Sequence, residues 1–147
     1  MIYLFFDGLP PGTNELYITS HGRKVLSDEG RKWKERIRLE LATFFPNELK
    51  QLVPNVPFTV CMQLWLTDMY TKGKGAKSKF RRFDATNHIK VLEDVIKELA
   101  GDYDDCQNVT IVINKRQAEV EATHLWAWNL EREASPFDGP LAQLPLL

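Results

Sequence analysis

The chain has 147 residues, so it is read as one domain, and a domain of that size buries roughly 68–70% of its unfolded surface without needing a disulfide or a structural metal. Hydrophobic residues are 44% and charged residues 27%, ordinary globular usage, and no apolar run approaches the ~18–20 residues of a membrane span. The net charge is −1, and two cysteines, Cys61 and Cys106, with no repeated spacing exclude a disulfide scaffold and point to a reducing compartment.

Residues 2–6 (IYLFF) read as a short apolar strand, closed by the turn residues GLPPGTN at 8–14. The apolar opening stops at Asp7 with no basic leader, so no secretory signal is expected. Residues 16–26 carry Tyr17, His21-Gly22, Arg23 and Lys24 and suit a hairpin or loop. Ser27 is a helix N-cap candidate, followed by Asp28 and Glu29 where the helix dipole favours acids. Trp33, Ile37, Leu41 and Phe44 recur at three- and four-residue spacing, which predicts a helix from about 28 to 45, stopped by Pro46. Gly30 should weaken its first turn slightly.

Residues 58–66 alternate, with Phe58, Val60, Met62, Leu64 and Leu66 on one face, and predict a half-buried strand. Residues 68–82 form a basic loop without apolar period. Residues 86–99 predict a second helix whose core face is Ile89, Leu92, Ile96 and Leu99, flanked by Val95, with Gly101 at its stop. Val109–Ile113 is a third strand, and residues 118–128 a fourth, ending in Leu125-Trp126-Ala127-Trp128. Residues 131–147 are set apart as an irregular tail with Pro136, Pro140 and Pro145. The order β-α-β-α-β-β predicts an α/β (α+β) fold, a small mixed sheet of about four strands with two main helices. The strands flanking the second helix would form a right-handed crossover if they pair.

The near-neutral total hides a charge separation. Lys72, Lys74, Lys77, Lys79, Arg81 and Arg82 are six cations without an anion between them. From Asp84 to Asp105 there are seven anions and two cations. Asn87, Lys90 and Asp94 share one stripe of the second helix, Asp84 precedes it, and Asp104-Asp105 follow it. If the third strand lies beside the second, the acidic turn returns toward Asp84 and gathers carboxylates around Lys90. Carboxylates gathered in this way raise their pKa values or bind a cation, and hard oxygen ligands favour Mg²⁺ or Mn²⁺. Such ions activate water and stabilise the leaving oxygen of a phosphodiester, while adjacent cations hold a polyanionic backbone. Each feature alone also has a plain structural reading: a solvated helix face, an N-cap at Asp84, a turn at Asp104-Asp105, a charged surface loop.

Other motifs do not hold. Lys77-Ser78 lacks the glycines of a phosphate loop, with Thr71 and Ala76 in their places. His21, His88 and His124 have no metal spacing with the cysteines, and His88 suits a surface or supporting role. Trp65, Trp126 and Trp128 at strand positions are read as core rather than as base-stacking platforms.

The segment Arg82-Phe83-Asp84-Ala85-Thr86-Asn87-His88-Ile89-Lys90, followed by Leu92-Glu93-Asp94-Val95-Ile96 and Asp104-Asp105-Cys106-Gln107, resembles the RusA-type Holliday junction resolvases. The opening Pro10-Pro11-Gly12-Thr13-Asn14-Glu15-Leu16-Tyr17 is similar to that family's Pro-Pro-Ser-x-Asn-x-x-Tyr, and the resemblance spans about residues 3 to 125. It implies an endonuclease domain over residues 1–130 and a homodimer dependent on Mg²⁺, with Mn²⁺ able to substitute. It also implies paired symmetric nicks in four-way DNA junctions, in a cytoplasmic, nucleoid-associated protein of a kind often phage or prophage encoded, with no membrane partner.

Carried over residue by residue, Asp84, Lys90 and Asp105 are the catalytic residues. Asp84, Asp94, Asp104 and Asp105 are metal ligands or their supports, and Asn87 orients the site. Asn14, Tyr17, Lys72, Lys74, Lys77, Lys79, Arg81 and Arg82 would touch the DNA backbone. The departure is Thr86, which stands where the family has its second motif acid. With the other acids and Lys90 in place, an active enzyme is expected; the rival is a junction-binding protein that no longer cuts.

Overall fold

The structure is a computed structural model that describes residues 1–70, 85–101 and 103–133, the side chains of Thr13 and Asn14 excepted. The basic segment Lys72–Arg82, Asp84, Asp102 and residues 134–147 of the Pro-rich tail therefore lie outside the described residues.

In chain order the elements are β1 (Ile2–Asp7), α1 (Thr13–Leu16), β2 (Tyr17–Ser20), β3 (Arg23–Leu26), α2 (Asp28–Phe44), α3 (Pro46–Leu49) and β4 (Phe58–Leu66). Then come α4 (Thr86–Ala100), a 3₁₀ turn (Asp105–Gln107), β5 (Asn108–Gln117) and β6 (Ala122–Asn129). A four-stranded mixed sheet has the order β1-β6-β4-β5, and β2-β3 form a separate hairpin. This is the small α/β fold that the sequence order predicts. β4 and β5 run parallel with α4 between them in sequence, so the crossover pairing is present. β6 runs antiparallel to both β4 and β1.

The core lies between one sheet face and helices α2, α3 and α4. Ile2, Leu4, Phe58, Val60, Met62, Leu64 and Leu125 point to it from the sheet, and Ile37, Leu41, Leu92 and Val95 from the helices. Each fully buried aliphatic side chain contributes about 1.5–3 kcal/mol.

The hairpin turns at His21 (φ 50) and Gly22 (φ 73), two successive positive-φ residues of the kind that two-residue turns demand. Ser27 caps α2 as its sequence suggests, accepting from the Gly30 amide at 3.0 Å. Gly30 does more than weaken a turn. A β-carbon there would lie 2.9 Å from the Leu16 carbonyl oxygen, so glycine lets α2 start directly against the end of α1. Gly101 (φ 71) ends α4 as expected.

Four expectations are corrected. Phe44 is 71% exposed, because the α2 stripe turns away from the core at its last residue. β4 is buried on both faces rather than half-buried. It is an interior strand, and its second face meets an aromatic layer in which Cys61 is 1% exposed against Trp126 and Trp128. β5 runs on through Gln117, since a sheet-edge strand tolerates the polar residues Asn114–Gln117. β6 begins at Ala122 rather than 118. Trp126 and Trp128 are core, as read, and Trp65 is half-buried.

Candidate active site on the second long helix

Helix α4 presents two stripes. Ile89, Leu92, Val95 and Ile96 are buried, while Lys90 and Lys97 are exposed and Asp94 is half-buried. Its cap position is Ala85, which supplies no side-chain hydrogen bond, and the N-cap reading of Asp84 lies outside the described residues. The chain leaves α4 at Gly101 and returns alongside the helix before β5 begins opposite Phe58. That return brings the acidic turn onto the α4 stripe.

Lys90 Nζ donates to an Asp105 carboxylate oxygen and lies 3.4 Å from Asp94 Oδ1. The two carboxylates thus approach one ammonium, with their side chains 33% (Asp94) and 30% (Asp105) exposed. The hydrogen bond to Asp105 raises the Lys90 pKa above its ordinary value, so the group is cationic throughout the neutral range. Asp104 turns elsewhere. It accepts from Lys97 at 2.6 Å and from the Cys106 amide at 3.2 Å, and these donors, Lys97 first, hold its carboxyl well below the usual range.

The N-terminal residues 10–17 lie against the start of α4. His88 Nδ1 donates to the Pro10 carbonyl, and a β-carbon on Gly12 would sit 3.6 Å from His88 Cε1. His88 thus ties the start of α4 to the segment that carries Pro10. Asn14 sits in α1 and Tyr17 opens β2, half-buried and paired with Leu26. Asn87 is half-buried, one turn before Lys90.

Three of the anticipated residues, Lys90, Asp94 and Asp105, therefore meet, and Asp104 stands next to them on Lys97. Among the described residues no three His, Cys, Asp or Glu side chains converge as a metal-binding set. Asp94 and Asp105 are hard oxygen donors of the type that Mg²⁺ and Mn²⁺ take, and Asp84 lies outside the described residues.

Several participants went unassigned in the sequence. Glu93 is buried at 8% exposure and accepts from Asn108 Nδ2 at 2.9 Å; burial raises its pKa. Tyr103 O–H donates to Asn108 Oδ1 at 2.5 Å. Gln107 donates to the carbonyls of Val53 (3.0 Å) and Val56 (2.9 Å) and accepts from the Asp104 amide at 2.9 Å. Helical spacing was the available signal for Glu93, which lies four residues after Ile89 and three before Ile96, on the apolar stripe.

A family model described as endodeoxyribonuclease RusA matches residues 7–125, from the end of β1 into β6 and across the whole of this site. The chain belongs to the endodeoxyribonuclease RusA family. The matched span agrees with the motif resemblance and leaves residues 126–147 beyond it. No curated protein matches the chain. Among the described residues, no helix is long and apolar enough to cross a membrane.

Proposed function

We propose that this protein is a metal-dependent, structure-selective endodeoxyribonuclease that resolves four-way DNA junctions by paired symmetric nicks. The observation that carries this reading is the convergence of Asp94 and Asp105 on Lys90, inside the span matched by a nuclease family. Asp84 and Asp105 would hold Mg²⁺ or Mn²⁺, with Asp94 and Asp104 as further ligands or supports. Such an ion supplies a water-derived nucleophile at neutral pH and neutralises charge on the scissile phosphate.

Lys90 remains charged at neutral pH, so its part is electrostatic: it stabilises negative charge on the phosphoryl or leaving oxygen rather than shuttling a proton. Asp94 and Asp105 hold the ammonium in place for this. Asn87 orients the site from one turn away. Asn14, Tyr17 and the Lys72, Lys74, Lys77, Lys79, Arg81 and Arg82 segment bind flanking phosphates, which fix register without reading sequence. Two equivalent nicks need two related sites, so the working form is a homodimer with two-fold symmetry. The setting is cytoplasmic DNA recombination and repair, in a protein of phage or prophage type, with residues 1–130 as the nuclease domain and 131–147 as a tail.

Thr86, a hydroxyl where the family carries an acid, favours one rival: a junction-binding protein of the same fold that does not cut. Incubating a labelled four-way junction and a linear duplex with Mg²⁺, Mn²⁺ or chelator separates the two. Nicks at symmetric positions, confined to the junction and abolished by chelator, are expected. Tight junction binding without nicks in either metal would establish the rival.

A further inference from the structure

The turn that carries Asp105 is fastened by groups that have no part in the chemistry above. Asn108, the first residue of β5, is bonded through both ends of its amide: its NH₂ donates to Glu93 Oε1 at 2.9 Å, and its carbonyl accepts from Tyr103 at 2.5 Å. An amide is the side chain that offers a donor to a carboxylate and an acceptor to a phenol at once. Tyr103 and Asn108 bracket residues 104–107, so their bond closes the base of the 3₁₀ turn, and Glu93 ties that base to α4. Gln107 ties the same turn to the carbonyls of Val53 and Val56. Asp104 accepts from Lys97 and from the Cys106 amide, which caps the turn. Asp105 reaches Lys90, three residues before Glu93 on the same helix.

Glu93 occupies a place on the apolar stripe that an aliphatic residue would fill. Burying a carboxylate costs free energy unless hydrogen bonds offset it. Its bond to Asn108 is what the position gains.

We propose that Glu93 is a positioning residue: through Asn108 and Tyr103 it fixes the acidic turn so that Asp105 stays against Lys90, and it thereby sets turnover without touching DNA or metal. The part concerning turnover rests on the nuclease reading; the clamp itself does not.

The test uses the full chain and three variants, Glu93→Ala, Glu93→Gln and Tyr103→Phe. It combines amide hydrogen exchange at Cys106 and Gln107 with single-turnover junction cleavage and junction affinity. Glutamine keeps the acceptor for Asn108 and loses only the charge. Glu93→Ala should speed exchange about three- to tenfold, the loss of one or two hydrogen bonds. It should lower the cleavage rate by about 10²-fold, as misplacement of a catalytic group does, with junction affinity kept. Tyr103→Phe, which removes a single oxygen and no packing, should move both readings in the same direction. Glu93→Gln should restore both.

Unchanged exchange in Glu93→Ala and Tyr103→Phe would overturn the clamp. So would a Glu93→Gln variant as slow as Glu93→Ala, since the charge rather than the bond would then matter. Loosened exchange with full cleavage would overturn the role in turnover. If the natural chain cuts no junction in any metal, exchange still decides the clamp and the nuclease reading falls separately.

Discussion

Lys90 and Asp105 are 15 residues apart in sequence and joined by an ion pair that fastens helix α4 to the turn ahead of β5. After Gly101 the chain turns back along α4, which brings Asp105 to Lys90 before β5 pairs parallel to β4. The same return sets Asp104 on Lys97 and Asn108 on Glu93, so three contacts register the acidic turn on α4.

Lys90→Ala should reduce the single-turnover cleavage rate by about 10²–10³-fold, the loss seen when one preorganised charge-stabilising donor is removed. Junction affinity should change little, since one of many phosphate-binding cations is lost. Lys90→Arg keeps the charge and should recover part of the rate. Gel-based cleavage and binding assays on the same preparations check this.

Junction affinity should fall steeply with salt, with a log–log slope near −0.9 for each phosphate neutralised. Replacing Lys72, Lys74, Lys77 and Lys79 with glutamine should make that slope shallower and weaken four-way and linear DNA alike. Fluorescence anisotropy at several salt concentrations measures both effects.

Much of this arrangement was legible in the sequence. Ser27 announced its helix, and the stripe Asn87, Lys90, Asp94 together with the acidic pair marked the candidate site. Asp94 and Asp105 do meet at Lys90. What was not legible depends on long-range contact. Helical spacing put Glu93 on the apolar stripe, but its partner Asn108 became visible only in the fold. Gln107 carried no visible role until Val53 and Val56, more than fifty residues earlier, presented their carbonyls. The burial of β4 on both faces depends on its interior place in the sheet, which strand alternation does not reveal. Gly30 looked like a small helix defect until the Leu16 carbonyl stood against it.

Gly30→Ala is a direct check on that packing. Alanine gains about 1 kcal/mol of helix propensity over glycine. The added methyl would meet the Leu16 carbonyl oxygen at 2.9 Å, and overpacking against backbone costs about 1–3 kcal/mol. A net loss of stability is expected in urea unfolding, against the gain that the same exchange gives at an exposed helix position.

His124 predicts an acid-sensitive fold. Its ring is buried at 8% exposure and receives or gives a hydrogen bond with Tyr3 Oη at 2.7 Å. It lies 4.2 Å from Trp65, centroid to centroid. Burial, and then the Arg116 charge, lower its pKa below the ordinary 6.5. The unfolded chain therefore binds the proton more readily, so this contribution is present above about pH 6.5 and is lost as pH falls through the folded-state value. The Tm should drop on acidification below pH 6.5. His124→Phe should flatten that part of the profile, which calorimetry across pH 4.5–8 would show.

The central claim is that the acidic turn and α4 form one cutting site on branched DNA. Its most direct test is cleavage of a labelled four-way junction by Asp105→Asn and Asp84→Asn beside the natural chain, in Mg²⁺ and Mn²⁺, with binding measured in parallel. Both variants should bind the junction and fail to nick it, while the natural chain makes paired symmetric cuts. Cutting by Asp105→Asn at the natural rate would contradict the claim.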